Sequence, residues 1–138
     1  MNKYFKLCRG IFAIIILMII FSCSNTSPEQ FYGSWRNTRG DTILDVKLSN
    51  ESWEAKFNMG SSYTIDQLTW VHAINDDPAT KSMYPEGYYI TGTVSSLHNV
   101  SGISQGQQNT YMIYLNKDKT SFLRKSDNTP DFIFNKND

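Results

Sequence analysis

The sequence predicts a small all-β domain, an antiparallel up-and-down barrel of about eight strands, with a two-sheet sandwich as the alternative. From Gly33 onward, apolar and polar residues repeatedly alternate, which is typical of strands with one buried face. No stretch there keeps apolar residues at the spacing of an amphipathic helix over three turns. Turns and two longer connections separate the alternating stretches. The stretches are residues 33–38, 41–49, 52–58, 62–70, 88–95, 111–115, 120–125 and 131–134.

The second and third stretches form the clearest predicted hairpin. Asn50 and Glu51 supply a tight turn between them, and charged residues alternate with apolar ones on both sides of that turn. A single face of the hairpin is therefore expected to be buried. Its predicted inward residues are Leu44, Val46, Leu48, Trp53, Ala55 and Phe57.

The fourth stretch changes phase along its length. Tyr63 and Ile65 belong to one alternation, whereas Leu68 and Trp70 belong to the other. An extra residue in one strand of an antiparallel pair produces this kind of slip. The sequence therefore predicts a β-bulge near Asp66-Gln67.

The later stretches leave two long connections, residues 71–87 and 97–109. Successive connections of an up-and-down barrel alternate between its two ends. The first connection is therefore expected at the end that carries the start of the chain and Trp35. The second is expected at the opposite end, together with the turn at residues 59–61.

The first 22 residues have the layout of a secretory signal peptide. A basic head with Lys3, Lys6 and Arg9 is followed by an uninterrupted apolar run over residues 11–21. That run is much shorter than the roughly 20 residues that span a bilayer. We therefore expect it to be removed on export, with an uncleaved signal anchor as the alternative.

The run ends in Ile20-Phe21-Ser22-Cys23, which resembles the lipobox of bacterial lipoproteins. Phe21 is bulkier than usual, as in the looser lipoboxes of spirochaetes, and the overall layout is similar to their small antigenic outer-membrane lipoproteins. The resemblance implies signal cleavage between Ser22 and Cys23, and an S-diacylglycerol thioether and an N-acyl chain, such as palmitate, on Cys23. It also implies a lipid anchor in the outer membrane. The polar residues 23–30 then form the lipidated start and tether, and residues 31–138 form one domain.

Composition narrows the classes of partner and chemistry. Thirteen Lys and Arg residues balance thirteen Asp and Glu residues, and no long basic run is present, so nucleic acid is not expected as a partner. The two cysteines, Cys8 and Cys23, both precede the domain. The domain itself therefore has neither a disulfide nor a thiolate zinc site.

Gly33-Ser34-Trp35 at the start of the first stretch resembles the opening Gly-x-Trp motif of lipocalins and lipocalin-like bacterial domains, in the wider calycin group. The resemblance implies that Trp35 plugs the closed end of a barrel. The alternative is an ordinary core aromatic at the start of a strand. Lipocalins often stack an arginine on this tryptophan after the last strand, where this chain has only Lys136, and Arg124 lies one strand earlier.

Catalytic and metal-binding patterns are missing from the sequence. His72 and His98 fall in connections at opposite ends of the predicted barrel, so they cannot share a metal ion. The acidic pair Asp76-Asp77 precedes Pro78 and indicates a solvated turn rather than a calcium loop. No zincin, P-loop or nucleophile-elbow pattern occurs. We therefore expect no enzymatic activity, no catalytic residue, no cofactor and no metal.

Residues 83–89 place several aromatic side chains on a turn. Tyr84, Tyr88 and Tyr89 would suit contact with a protein partner from the envelope or from a host. The alternative for this segment is packing on the barrel rim. Partner contact predicts a surface or periplasmic protein-binding module, such as a surface antigen.

The second function class is a lipocalin-like carrier of a small apolar ligand inside the barrel. Such a carrier needs some small residues among its inward positions, and Ala55 and Gly92 are the candidates. The two classes differ in where the ligand binds, which is on the surface for the module and in the interior for the carrier.

Overall fold

The computed structural model describes residues 26–125 and 131–137, and it shows eight antiparallel strands closed into a barrel. The predicted fold class is confirmed. A single turn of 3-10 helix, Pro28–Phe31, precedes the barrel. Among the described residues, no helix is long and apolar enough to cross a membrane. The strands are β1 (Gly33–Arg39), β2 (Thr42–Leu48), β3 (Ser52–Phe57), β4 (Ser62–Ile74), β5 (Glu86–His98), β6 (Gln108–Leu115), β7 (Ser121–Lys125) and β8 (Phe132–Lys136).

Each strand pairs with the next along the chain, and β1 also pairs with β8. The β1–β8 seam is short, with Trp35 opposite Lys136 and Arg36 opposite Asn135. The backbone N–H of Asn137 extends the seam by donating to the oxygen of Ser34 at 2.9 Å. Closure leaves no free sheet edge along this ladder, which removes a template for aggregation.

Strand direction defines two ends of the barrel. We call the end that holds the start of β1 and the β2–β3, β4–β5 and β6–β7 connections the N-terminal end. The distal end holds the β1–β2, β3–β4, β5–β6 and β7–β8 connections. The two long connections therefore lie at opposite ends, as the sequence predicted.

The predicted hairpin is β2–β3, and its register places Val46 opposite Ala55 and Leu44 opposite Phe57. The predicted inward residues are buried, apart from the half-buried Phe57 at the distal end. On the outer face, the Arg36 guanidinium donates to Asp45 at 2.7 Å across β1 and β2. The alternation in the sequence thus separates a packed face from a charged one.

Strands β4 and β5 are longer than predicted. The prediction ended the fourth strand at Trp70 and began the fifth at Tyr88, but pairing continues to Ile74 and Glu86. The connection between them is therefore residues 75–85 instead of 71–87, and the next is 99–107 instead of 97–109. The predicted end of the fourth strand was wrong because Ala73, beyond it, is buried on the outside of the barrel. Alternation shows which residues face the core, but not that the outer face is also covered.

The predicted bulge is confirmed in β4. The register against β5 shifts between Asp66 and Thr69, and Gln67 has a left-handed φ of 59°. The bulge brings β4 close to Gly92 of β5, where an added Cβ would lie 2.6 Å from the Asp66 carbonyl oxygen. Gly92 is small because backbone approaches it, and not because the interior is open there.

Aromatic rings fill much of the barrel interior. Phe122 lies among them, stacked on Phe134 at 4.8 Å between ring centroids and edge-on to Trp35 at 4.9 Å. At Gly92, side chains of Ile65 and Leu68 occupy the space that a Cβ would take. The largest fully buried side chains are Trp35, Trp53, Phe31, Phe122 and Phe134.

Candidate functional site

The start of the described chain is attached to the N-terminal end of the barrel. The Tyr88 hydroxyl donates to the carbonyl oxygen of Thr26, and the Thr26 N–H reaches a carboxylate oxygen of Glu86 at 3.4 Å. His72 contacts the same Glu86 oxygen at 3.2 Å and packs edge-on against Tyr88. These contacts fix where the N-terminal segment meets the barrel. Ser22 and Cys23, the predicted cleavage and lipidation residues, lie outside the described residues.

Trp35 lies buried near the same end, just inside the 3-10 turn. Its indole N–H donates to the Phe31 carbonyl oxygen at 2.7 Å, and both side chains are fully buried. The Lys136 ammonium lies 5.7 Å from the centre of a Trp35 ring. Among the described residues, the basic group over Trp35 is therefore that of Lys136, whereas Arg124 lies elsewhere.

The three tyrosines expected at a partner surface are in different environments. Tyr84 is buried outside the barrel, where its hydroxyl is 3.3 Å from that of Ser121. Tyr88 points into the N-terminal end and is also buried. Only Tyr89 is substantially exposed, at 41%. The expected exposure is therefore wrong for Tyr84 and Tyr88. Tyr84 is covered because the 75–85 connection folds back against β6 and β7, and Tyr88 is covered because it faces the barrel core from β5.

An unexpected cluster lies toward the distal end. The guanidinium carbon of Arg124 lies 4.5 Å from the ring centre of Phe132 and 4.8 Å from that of Tyr111. The rings of Trp53 and Phe134 are 6.0 and 5.9 Å away. We call these five residues the arginine cluster. A cation close to aromatic faces is attracted by their electrons, and this favours a guanidinium in an otherwise apolar place.

A chain of hydrogen bonds runs beside the guanidinium. The Trp53 indole N–H points to the Tyr63 hydroxyl at 3.3 Å, and this hydroxyl is 3.2 Å from that of Tyr111. Burial raises the pKa of the Tyr111 phenol well above its ordinary value, and the Arg124 charge offsets only part of that effect. Tyr111 is therefore a neutral hydroxyl over the whole physiological range.

Within the part of the chain that the structure describes, one donor of Arg124 has no acceptor. Its Nε is buried and has no hydrogen-bond partner within residues 26–125 and 131–137. None of the ion pairs in that part of the chain includes Arg124. The sequence patterns described above did not point to this site, although one of them could have. Phe122 and Arg124 share the inward face of the predicted strand 120–125, so the alternation puts a charge inside.

The β5–β6 connection covers part of the distal end. Val100 and Ile103 pack against the core, and the Gly106 N–H donates to the Val94 carbonyl oxygen at 2.8 Å. Between this connection and the β3–β4 turn lies a groove of about 290 Å³. Met59, at its rim, is 81% exposed. The groove is lined by Phe57, Met59, Ser61, Asn99, Val100 and Ser101.

Comparisons with known proteins give no family for this chain. No family model, curated protein or solved structure matches it. The function is therefore inferred from the residues and geometry of the chain itself.

Metal-ligating side chains are scattered. No group of three or more His, Cys, Asp or Glu residues that could hold a metal ion occurs within the described ranges. His72 lies near the N-terminal end and His98 at the distal end of β5. Asp77, from the predicted solvated turn, instead forms an ion pair with Lys125 of β7. This pair ties the 75–85 connection to the outside of the barrel.

Protonation of Asp77 is expected to weaken the barrel at acid pH. The Lys125 ammonium lowers the pKa of Asp77 below its ordinary value of 3.8, and the Ala79 N–H adds to this effect. A lowered folded-state pKa stabilises the fold above the unfolded-state value, and that stability is lost as pH falls through the folded-state pKa. Urea unfolding should therefore show that Asp77→Asn costs stability at about pH 7 and much less at about pH 2.

The matched control is Asp118→Asn in the exposed β6–β7 turn, which should be close to neutral at both pH values. An equal loss of stability from Asp77→Asn at both pH values would contradict an electrostatic role for this ion pair.

Proposed function

We propose that this protein is a non-catalytic binding module of the bacterial envelope, anchored in the outer membrane by lipid on Cys23 and binding its partner at the distal end. The attachment of Thr26 to Glu86 and Tyr88 is the observation that carries the proposal. It favours an arrangement in which the anchor and the binding surface lie at opposite ends of one barrel.

The position of Thr26 limits the distance to the membrane. Three residue steps separate it from Cys23, and extended chain covers at most about 3.6 Å per residue, so this segment spans at most about 11 Å. The N-terminal end then lies next to the lipid. Ile74 and Met83, exposed at 66% and 59%, are apolar side chains of that end.

Two or three acyl chains would hold the domain stably. Each buried CH₂ contributes about 0.8 kcal/mol, and a single chain gives only marginal binding, whereas a second one makes anchoring stable. No membrane-inserting helix is needed for this mode of attachment.

Binding at the distal end is favoured over carriage of an apolar ligand in the interior. The inward space near Gly92 is taken by Ile65 and Leu68, and Phe122 packs tightly on Phe134. At the distal end, by contrast, the groove beside Met59 is open, and Tyr111, Arg124 and Phe132 of the arginine cluster are only partly buried. A surface partner can use both without displacing the core.

Loss of Cys23 is expected to abolish lipid labelling. In a diderm bacterial host fed a palmitate analogue, wild-type protein should carry label and fractionate with the outer membrane. Cys23→Ala should carry none, whereas Cys8→Ala is the matched control and should keep its label. Label retained by Cys23→Ala, or absent from wild type, would contradict the anchor.

The orientation forms a second arm of the same experiment. Met59 and Met83 are exposed at opposite ends, so Met59→Cys and Met83→Cys place comparable reporter thiols there. On purified outer-membrane vesicles, a maleimide on a bulky polymer should modify Met59→Cys faster than Met83→Cys. In detergent the two rates should converge. Equal rates on membranes would contradict the proposed orientation.

A further inference from the structure

The described surroundings of Arg124 leave one buried donor without an acceptor. Its neighbouring rings attract the cation through their faces, but guanidinium N–H groups point outward in its own plane and need acceptors. The buried Nε finds none among the described residues. A buried donor without an acceptor costs free energy, and more so when the group is charged. An acceptor at the terminal nitrogens of the same guanidinium, which are not among the buried atoms without a partner, would offset part of this cost.

Tyr111 offers a second donor at the same place. The Trp53 indole can only donate, so the Tyr63 oxygen accepts from it and the Tyr63 hydroxyl hydrogen can donate to Tyr111. Either hydroxyl can be the donor in this pair, and when Tyr63 donates, the Tyr111 hydrogen can go to another acceptor. The Tyr111 ring lies 4.8 Å from the guanidinium carbon, so both donors can serve one ligand.

A second guanidinium group lies at the same end of the barrel. Arg39, at the distal end of β1, lies 5.4 Å from the ring centre of Phe132, which also packs on Arg124. Asp41 and Asp131 are exposed at that end, and neither forms an ion pair within the described residues. An incoming anion therefore meets two guanidinium groups on one aromatic ring, with the two carboxylates exposed at the same end.

We propose that the arginine cluster binds a carboxylate, with Arg124 as its ion-pair partner and Tyr111 as a second donor. The planar guanidinium fork matches a carboxylate, and the surrounding rings favour a ligand whose body is apolar or aromatic. The proposal names the ligand chemistry of the distal end. It rests on the proposed function only for the orientation of that end away from the membrane.

Benzoate is the probe, and benzamide is its neutral counterpart of nearly the same shape. The full chain in detergent is titrated with each, with tryptophan fluorescence and the thermal unfolding midpoint as readouts, since Trp53 belongs to the cluster. Benzoate should change the fluorescence saturably and raise the midpoint. Benzamide should do neither at the same concentrations.

Variants assign the binding to Arg124. Arg124→Gln should weaken benzoate binding by about tenfold or more, and Arg124→Lys by less, because charge remains while the fork is lost. Arg36→Gln is the matched control, since Arg36 lies on the outer face and is paired with Asp45. This variant should bind benzoate with the affinity of wild type. Tyr111→Phe should weaken binding without removing charge, and it keeps the test valid if Arg124→Gln fails to fold.

Several results would overturn the proposal. One is an equal response to benzoate and benzamide. Another is an affinity for benzoate that is unchanged in both Arg124→Gln and Tyr111→Phe. A third is tighter binding of inorganic phosphate than of benzoate. Benzoate binding that is seen only in the double variant Asp127→Asn and Asp131→Asn would also overturn it. That result would mean that in the wild type a carboxylate of the chain itself pairs with the Arg124 guanidinium.

The source of the carboxylate is resolved by a peptide. An acetylated peptide that ends in phenylalanine with a free carboxylate should compete with benzoate if the ligand is a protein terminus, whereas its amidated form should not. If benzoate binds and neither peptide competes with it, the ligand is a free organic acid. Benzoate binding by Cys23→Ala separates this test from that of the lipid anchor, since either can fail without the other.

Discussion

Gly87→Ala is expected to lower the free energy of unfolding by about 3 kcal/mol, a value at the upper end for overpacking. An added Cβ would lie 1.7 Å from the carbonyl oxygen of Ile113 and 2.7 Å from its carbon. Both are backbone atoms of β6, so no side chain can rotate away, and β5 must separate from β6. Urea unfolding, followed by tryptophan fluorescence, measures the loss.

Ser96→Ala is the control for Gly87→Ala, since it lies on the same strand and its side chain is exposed. It should change stability by less than about 0.5 kcal/mol. If Gly87→Ala unfolded at the same urea concentration as wild type, the close approach of β5 and β6 would be wrong.

Phe122→Ala is expected to cost about 3–5 kcal/mol, the range for removing a large aromatic side chain from a core. Phe122 is fully buried and packs against Trp35 at 4.9 Å and Phe134 at 4.8 Å between ring centroids. It also lies near Phe31 and Trp53. Such a loss is a large fraction of the stability of a small domain, so the variant should unfold at a clearly lower temperature and urea concentration than wild type.

Tyr89→Ala is the matched control for Phe122→Ala. It also removes an aromatic ring, but from the outer face of β5, where the side chain is 41% exposed. We expect it to cost well under half as much as Phe122→Ala. Similar losses from both variants, measured by calorimetry and urea unfolding, would contradict a core built around Phe122.

Much of the fold was predictable because a strand repeats every two residues. Leu44, Val46 and Leu48 lie on the buried face that this period assigned to them. The phase change after Ile65 marked the bulge, which the left-handed Gln67 occupies. Strand parity alone then assigned each connection to an end of the barrel.

The errors arose where burial occurs outside the barrel. Alternation identifies which residues share a face, but it does not show that an outer face is also covered. Ala73 and Tyr84 are buried there by packing against Tyr114 and Leu123. The 75–85 connection therefore lies on the barrel wall, and Tyr84, which was predicted to be exposed, is buried there.

The glycines illustrate a second limit. Gly92 on an inward face suggested space for a ligand, because a sequence shows the size of a side chain but not what approaches it. In the structure, the Asp66 carbonyl oxygen and the Ile65 and Leu68 side chains come close to that position. Backbone atoms, those of β6, also come close to Gly87.

The sequence by itself determined the strand pattern, the predicted lipobox ending at Cys23 and the inward phase of Arg124, since each depends on residues close together in the chain. Only the tertiary structure decided that the barrel closes through β1 and β8, and that Arg124 meets Tyr111 and Phe132. Both results depend on contacts between strands distant in sequence. Such contacts form where closure of the sheet brings side chains together, and the local periodicity of the sequence does not predict them.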